Sequence, residues 1–163
     1  MSESSQATSG PREVLTRYQR AAIDKSTDDF ADLYAVDGVH EFPFTRPGVP
    51  SSLQGREQVR AFAQANWDTS PLQYEEYRNV VVHQTADPAV IIVEQEAAGT
   101  VTTTGRRFTL PNIIVLKVRD GQIVHLRDYV NLLAVAEATD RLPALLASIT
   151  DQKPAPAPPD ARS

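Results

Sequence analysis

Two side chains in this sequence combine proton chemistry with an apolar setting. Asp128 lies in the run Gln122 to Val130, where alternation groups it with Val124, Leu126 and Val130 and sets Ile123, His125, Arg127 and Tyr129 on the opposite face. A carboxyl facing an apolar cavity has a raised pKa, because desolvation disfavours the charged form, and it can then shuttle a proton near neutral pH. His40 lies in a short extended run, Val39 to Phe44, and histidine is the side chain that titrates unperturbed near neutrality. Facing each other across a cavity, the two make an acid/base pair. The structural reading of the same residues is a bond from Asp128 to His40 or to a backbone amide, and a packed or rim position for His40. A pair between Asp128 and Arg127 is disfavoured, because neighbours on a strand point to opposite faces.

Other chemistries find no support. The chain has no cysteine, so disulfides, thiolate metal sites and cysteine nucleophiles are excluded. Its three histidines, His40, His83 and His125, have no metal-ligand spacing, and no metal is expected. The seven glycines are too dispersed to cradle a phosphate, no Gly-x-Ser-x-Gly elbow exists, and no cofactor is expected. Glu75-Glu76 and Glu94-Gln95-Glu96 read as solvated strand faces.

Positioning Asp128 and His40 requires elements from both halves of the chain. Val14, Leu15, Tyr18 and Ala22 recur at helical spacing. Ser26-Thr27-Asp28-Asp29 supplies an N-cap and first-turn acids for a second helix carrying Phe30, Leu33 and Tyr34. The Pro/Gly/Ser segment Thr45 to Gly55 predicts a loop without regular structure, and Val59, Phe62, Ala63 and Asn66 predict a third helix over Arg56 to Trp67. The period then changes to two. Tyr74 to Gln84, Ala89 to Val101, Arg106 to Arg119 and Gln122 to Val130 read as a meander, with Asp120-Gly121 suited to a two-residue hairpin. One last helix, Leu132 to Leu146 and interrupted at Pro143, completes an α+β domain.

The 163 residues, 41% hydrophobic and with a net charge of −5, suffice for one core. The expected organisation is a polar disordered tail over 1–11, one domain over 12–149 and a Pro/Ala-rich disordered tail over 150–163. The acidic balance argues against nucleic acid and anionic membrane surfaces. No apolar run approaches a membrane span and the first residues do not resemble a secretory signal, so the expected compartment is the cytoplasm.

The element order resembles the nuclear transport factor 2-like superfamily of α+β cones. Leu33 to Val39, the loop Glu41 to Pro50 leading to Gly55-Arg56-Glu57, and Asp120 to Asn131 look like SnoaL-like proteins. Val93-Glu94, Gly99, Phe108 and Asn112 are similar to the phenazine-biosynthesis A/B branch. The resemblance implies a cone-shaped curved antiparallel sheet wrapped around the N-terminal helices and enclosing an apolar pocket. It further implies a convex face used for homodimerisation, with His125, Arg127 and Tyr129 on it, and an apolar small molecule as ligand.

The same resemblance implies that Asp128 faces inward. Limonene epoxide hydrolase-like relatives carry an acid/base Asp there and a water-binding Tyr at the place of His40. Tyr18 matches the oxyanion-holding tyrosine of ketosteroid isomerase, although an aromatic at this spacing is also what an ordinary core looks like. Departures limit the carry-over. The isomerase's general base falls on Phe42 and its second oxyanion acid on Ile114; the epoxide hydrolase Arg and Asp of the third strand become Gln95 and Ala97. What remains is a pocket with Asp128 and His40 as catalytic residues, the amides of Gln95 and Asn112, the aromatics Tyr18, Phe42, Trp67 and Tyr77, and the apolar Ile114, Leu116, Leu126 and Val130. That inventory implies cofactor-independent isomerisation, cyclisation or dehydration of an apolar oxygenated molecule. The alternatives are a non-catalytic binding or dimeric interaction module of the same fold, and an epoxide hydrolase-like activity.

Overall fold

The computed structural model describes residues 8–152. Most of each expected disordered tail, at 1–7 and 153–163, lies outside the described residues. Helix α1 (Pro11–Asp24) starts with Pro11 in its first turn, where a missing N–H costs nothing, and ends on Lys25, whose left-handed backbone (φ 48°) lets its N–H reach the carbonyls of Ala21 and Ala22. It buries Val14, Leu15, Tyr18, Ala21 and Ala22. In α2 (Thr27–Asp32) the Ser26 side chain accepts the Asp29 N–H, the cap expected from sequence.

The second helix is shorter than its apolar spacing suggests. It ends at Asp32, and Tyr34 opens strand β1 (Tyr34–Glu41). The reason is tertiary: the Ile123 N–H donates to the Leu33 carbonyl at 2.7 Å and Tyr34 pairs with Ile123, so a distant strand takes the backbone from the helix. A second correction falls in the proline-rich segment, which is not all loop. Beyond Pro50 it forms β2 (Ser52–Gln54), paired antiparallel with β1 through Val39–Gln54, His40–Leu53 and Glu41–Ser52. Helix α3 (Arg56–Thr69) follows.

The meander consists of β3 (Leu72–Gln84), β4 (Val90–Val101), β5 (Arg107–Arg119) and β6 (Gln122–Tyr129). Asp120 (φ 52°) and Gly121 (φ 73°) both hold positive φ in the β5–β6 turn, as the Asp-Gly pair requires. The last helical segment divides into α4 (Leu132–Ala138) and α5 (Leu142–Thr150), separated by Asp140 at φ 55° and restarted at Pro143 in the first turn of α5.

The six strands form one open, curved sheet in the order β2-β1-β6-β5-β4-β3. It is mixed rather than purely antiparallel, because β1 lies parallel to β6. A core of Val14, Leu15, Tyr34, Val59, Val93 and Ile123 fills the space between helices and sheet. A smaller cluster, Leu72, Ala97, Val101, Phe108 and Leu110, packs on Ala134, Val135 and Ala138 of α4. Among the described residues no helix is long and apolar enough to cross a membrane.

Two β-bulges decide which side chains face inward. In β6 the partners shift from Lys117–His125 to Val118–Ile123, leaving one extra residue on β6. Ile123, placed by simple alternation on the outer face, is therefore fully buried with Leu126. In β3 the partners shift from Tyr74–Gly99 to Glu76–Ala98, which brings Tyr74 and Tyr77, three residues apart, onto the same side.

Candidate active site

Beyond the β6 bulge alternation holds, so Leu126 and Asp128 point inward and Arg127 outward, where it donates to Glu41 Oε2 at 3.2 Å. His125 Nε2 lies 2.9 Å from the same Glu41 oxygen. Asp128 is 14% exposed. Its Oδ1 accepts a 3.0 Å hydrogen bond from Asn112 Nδ2, and Oδ2 lies 3.9 Å from His40 Nε2. Burial pushes the Asp128 carboxyl up to about 6, partly opposed by the Asn112 hydrogen bond, which favours the anion.

His40 sits in β1 beside β6, paired with Leu126 across the parallel ladder. It is 4% exposed, and its Nδ1 lies 2.8 Å from the Tyr34 hydroxyl. Burial lowers its pKa to about 3, so the imidazole is neutral across the physiological range and the expected titration near neutrality does not occur. The 3.9 Å approach to Asp128 is thus a neutral ring beside a carboxyl, not an ion pair. It is too long for a hydrogen bond, yet it lets one oxygen atom contact both groups. Among the described residues His40 Nε2 has no hydrogen-bond partner despite its burial, an omission that polar groups in a core rarely tolerate. When the Tyr34 hydroxyl donates to Nδ1, the ring proton resides on Nε2 and is directed at the space beside Asp128.

Both groups border a cavity of about 360 Å³, a size typical of small-molecule sites. Tyr18, Phe42, Trp67, Tyr77, Gln95, Asn112 and Val130 all line it. Ile114, Leu116 and Leu126 do not: they are fully buried in the core with Val14, Leu15 and Val59, where helices cover the sheet. Tyr18 packs on Phe30 with ring centres 5.0 Å apart. Burial, with Asp128 nearby, raises its pKa well above the ordinary tyrosine value, so it stays a phenol and a donor. Burial raises Tyr74 to about 12 and pushes Tyr77 up as well.

Sequence reasoning missed Tyr34 and Tyr74. Helical spacing assigns Tyr34 to the second helix, whereas the β1–β6 pairing puts it at the start of β1, with its hydroxyl against His40. Tyr74 was hidden by the β3 bulge. A signal existed in Gly99, since a glycine inside a long strand often marks a bulge or a close backbone approach.

Asp128 also makes this site costly for the fold. Its folded pKa lies above the unfolded value, so the stability it contributes is full below about 3.8 and is lost as pH rises through about 6, an effect of about 3 kcal/mol. His40 has the opposite sign: its folded pKa is depressed, so its contribution is present above about 6.5 and is lost as pH falls toward about 3. Asp128→Asn removes only the first effect. We expect the variant to be more stable than wild type by about 1 to 2 kcal/mol at pH 7.5, since the new amide pays part of the cost of burial. Melting curves at pH 7.5 and pH 4 check this; the gain should vanish at pH 4, and a less stable variant at pH 7.5 contradicts it.

The SnoaL-like domain family matches residues 15–126. The chain is 32% identical over 127 residues to a PhzA/B-like protein of Pseudomonas aeruginosa, covering 78% of this chain and 88% of that one. A Bacillus subtilis crystal structure of a protein proposed to be an isomerase superposes with a TM-score of 0.73 at 27% identity, covering 80% of this chain and 93% of that one. The Δ5-3-ketosteroid isomerase of a Mycobacterium species shares the fold, with a TM-score of 0.59 at 21% identity over 76% and 95% of the two chains.

Proposed function

The chain belongs to the SnoaL-like domain family, and from that premise we propose that it is a cofactor-independent acid/base catalyst. It isomerises, cyclises or dehydrates an apolar, oxygen-bearing small molecule. The observation that carries this reading is a carboxyl, Asp128, on the wall of a largely apolar cavity, with one oxygen held by Asn112 and the other facing His40 Nε2 across 3.9 Å.

Asp128 as the anion removes a proton from carbon, and the resulting acid returns it at another atom. The Asn112 bond leaves Oδ2 as the working oxygen. His40, fixed by Tyr34 and neutral, contributes a hydrogen bond rather than a charge. The Tyr18 hydroxyl, a phenol at all working pH values, can hold the oxygen on which negative charge develops, an interaction worth about 3 kcal/mol in comparable oxyanion sites. A base with its pKa near 6 gives a specific profile. We expect kcat/KM to rise tenfold per pH unit below about pH 6 and to level off above it, with no second step from His40 near neutrality.

The reading is tested without knowing the natural substrate. A panel of fused-ring ketones in deuterium oxide should show protein-dependent exchange α to the carbonyl by proton NMR. That exchange should be lost in Asp128→Asn; equal exchange by both proteins removes Asp128 as the base.

A further inference from the structure

Gln95 is one of two buried polar side chains among the described residues, the other being His40. It is 3% exposed and lines the cavity from β4. Its Oε1 is taken by Gln19 Nε2, which donates across 2.8 Å from α1. Among the described residues its own amide nitrogen donates no hydrogen bond, and the residue stands on the cavity wall. A primary amide is a donor at one end and an acceptor at the other, so whichever end Gln19 engages decides which end a bound molecule meets.

Gln95 also has a defined place relative to Asp128. Gln95 pairs with Asn112 on β5, and Asn112 reaches Asp128 on β6. The amide and the carboxyl therefore belong to a diagonal polar line crossing three strands, because Asp128 itself pairs with Ile114, two residues along β5 from Asn112, and β4 and β6 are about 10 Å apart. The rest of the line is spoken for, because Asn112 Nδ2 already serves Asp128. A fused-ring molecule spans that separation.

We propose that Gln19 sets the polarity of a second binding subsite. By engaging Gln95 Oε1 it turns the Gln95 N–H groups into the cavity, so that the site selects ring compounds carrying a carbonyl oxygen two strands away from the atom facing Asp128. Gln19 is a positioning residue and Gln95 the specificity-determining one. The inference rests on the cavity being a ligand site, as in the proposed function, and adds which oxygen chemistry the ligand carries.

The test uses two bicyclic probes of similar size, 1-indanone, which only accepts at its carbonyl, and indole, which only donates at its N–H. Dissociation constants are measured by calorimetry or ligand-observed NMR for wild type, Gln19→Glu and Gln19→Lys. Glutamate can only accept, so it draws the Gln95 nitrogen outward and presents the oxygen to the cavity; lysine can only donate and keeps the original orientation. The ratio of indole to indanone dissociation constants should fall about tenfold or more in Gln19→Glu and stay within about twofold of wild type in Gln19→Lys, the scale of exchanging one hydrogen bond for its reverse. Carbonyl infrared spectra of bound indanone should show the lowered stretching frequency of a hydrogen-bonded ketone in wild type and Gln19→Lys, and a higher one in Gln19→Glu. Equal ratios in all three proteins overturn the inference while leaving the cavity a ligand site. Weakening of both probes in parallel by either substitution reduces Gln19 to packing and also overturns it. Failure of wild type to bind either probe at millimolar concentration refutes the ligand site itself, and the inference with it.

Discussion

Asp128→Asn should keep its fold and its ligand affinity and lose two or more orders of magnitude in kcat, equivalent to about 3 kcal/mol or more of barrier. The substitution preserves shape, and the Asn112 Nδ2 hydrogen bond survives because the new amide oxygen accepts as Oδ1 did. Only the proton acceptor on the His40 side is lost. The accompanying gain in stability near pH 7.5 separates this outcome from trivial unfolding, since a damaged protein cannot be both slower and more stable. A turnover unchanged within a few fold would end the catalytic reading. The domain would then stand as a binding module that keeps the cavity and performs no proton transfer.

Gly99→Val should be the most damaging single substitution at the open end of the sheet, costing about 3 kcal/mol or more. A Cβ built at Gly99 falls on the Gln73 carbonyl oxygen, well inside van der Waals contact, and lies 3.0 Å from the ring of Phe108. Neither neighbour can yield cheaply. Gln73 is anchored by its side chain, whose Nε2 donates to the Ile23 carbonyl at the end of α1 at 3.0 Å. Phe108 is buried and meets Tyr74 edge to face across the glycine, with centres 5.8 Å apart, an arrangement in which flanking aromatics cover a strand glycine. Relieving the clash requires undoing the bulge, which would move Tyr74 or Tyr77 off the cavity wall. Thermal unfolding should show a melting temperature lower by about 6 to 12 °C, with the affinity for bicyclic ketones falling in parallel. A variant that melts like wild type would mean that the close approach at Gly99 does not hold the bulge.

Part of the arrangement around the cavity follows from a local rule, once the inner face of the last strand is given by the resemblance. Asp128 follows Leu126 by two on a strand, and two-residue alternation needs no knowledge of the rest of the chain. His40 could be placed on a short strand, and its burial pushes its titration far below the expected range. A desolvation effect of that size depends on Phe42 and Tyr34 packing around the ring, contacts at 4.6 and 6.0 Å between ring centres that the chain creates only on folding. The three apolar residues assigned to the pocket wall, Ile114, Leu116 and Leu126, were on the correct face of the sheet. Which part of that face is covered by helices and which is left open is set by where α1 and α3 lie, and no strand pattern encodes it.

The content of the elements is legible in the residues alone: the capped and periodic helices, the Asp-Gly hairpin, the four long strands and an acid on an otherwise apolar strand face. These are short-range properties, fixed by backbone sterics, capping and side-chain period. The tertiary structure alone decided the parallel β1–β6 pairing that ends α2 at Asp32 and brings His40 to Asp128. It also decided the two bulges that turn Ile123 and Tyr74 inward, and the Gln19–Gln95 bond between a helix and a strand 76 residues apart. Each of these depends on competition between local preference and a hydrogen bond or packing contact offered by a remote segment. The outcome of that competition exists only once the remote segment is in place.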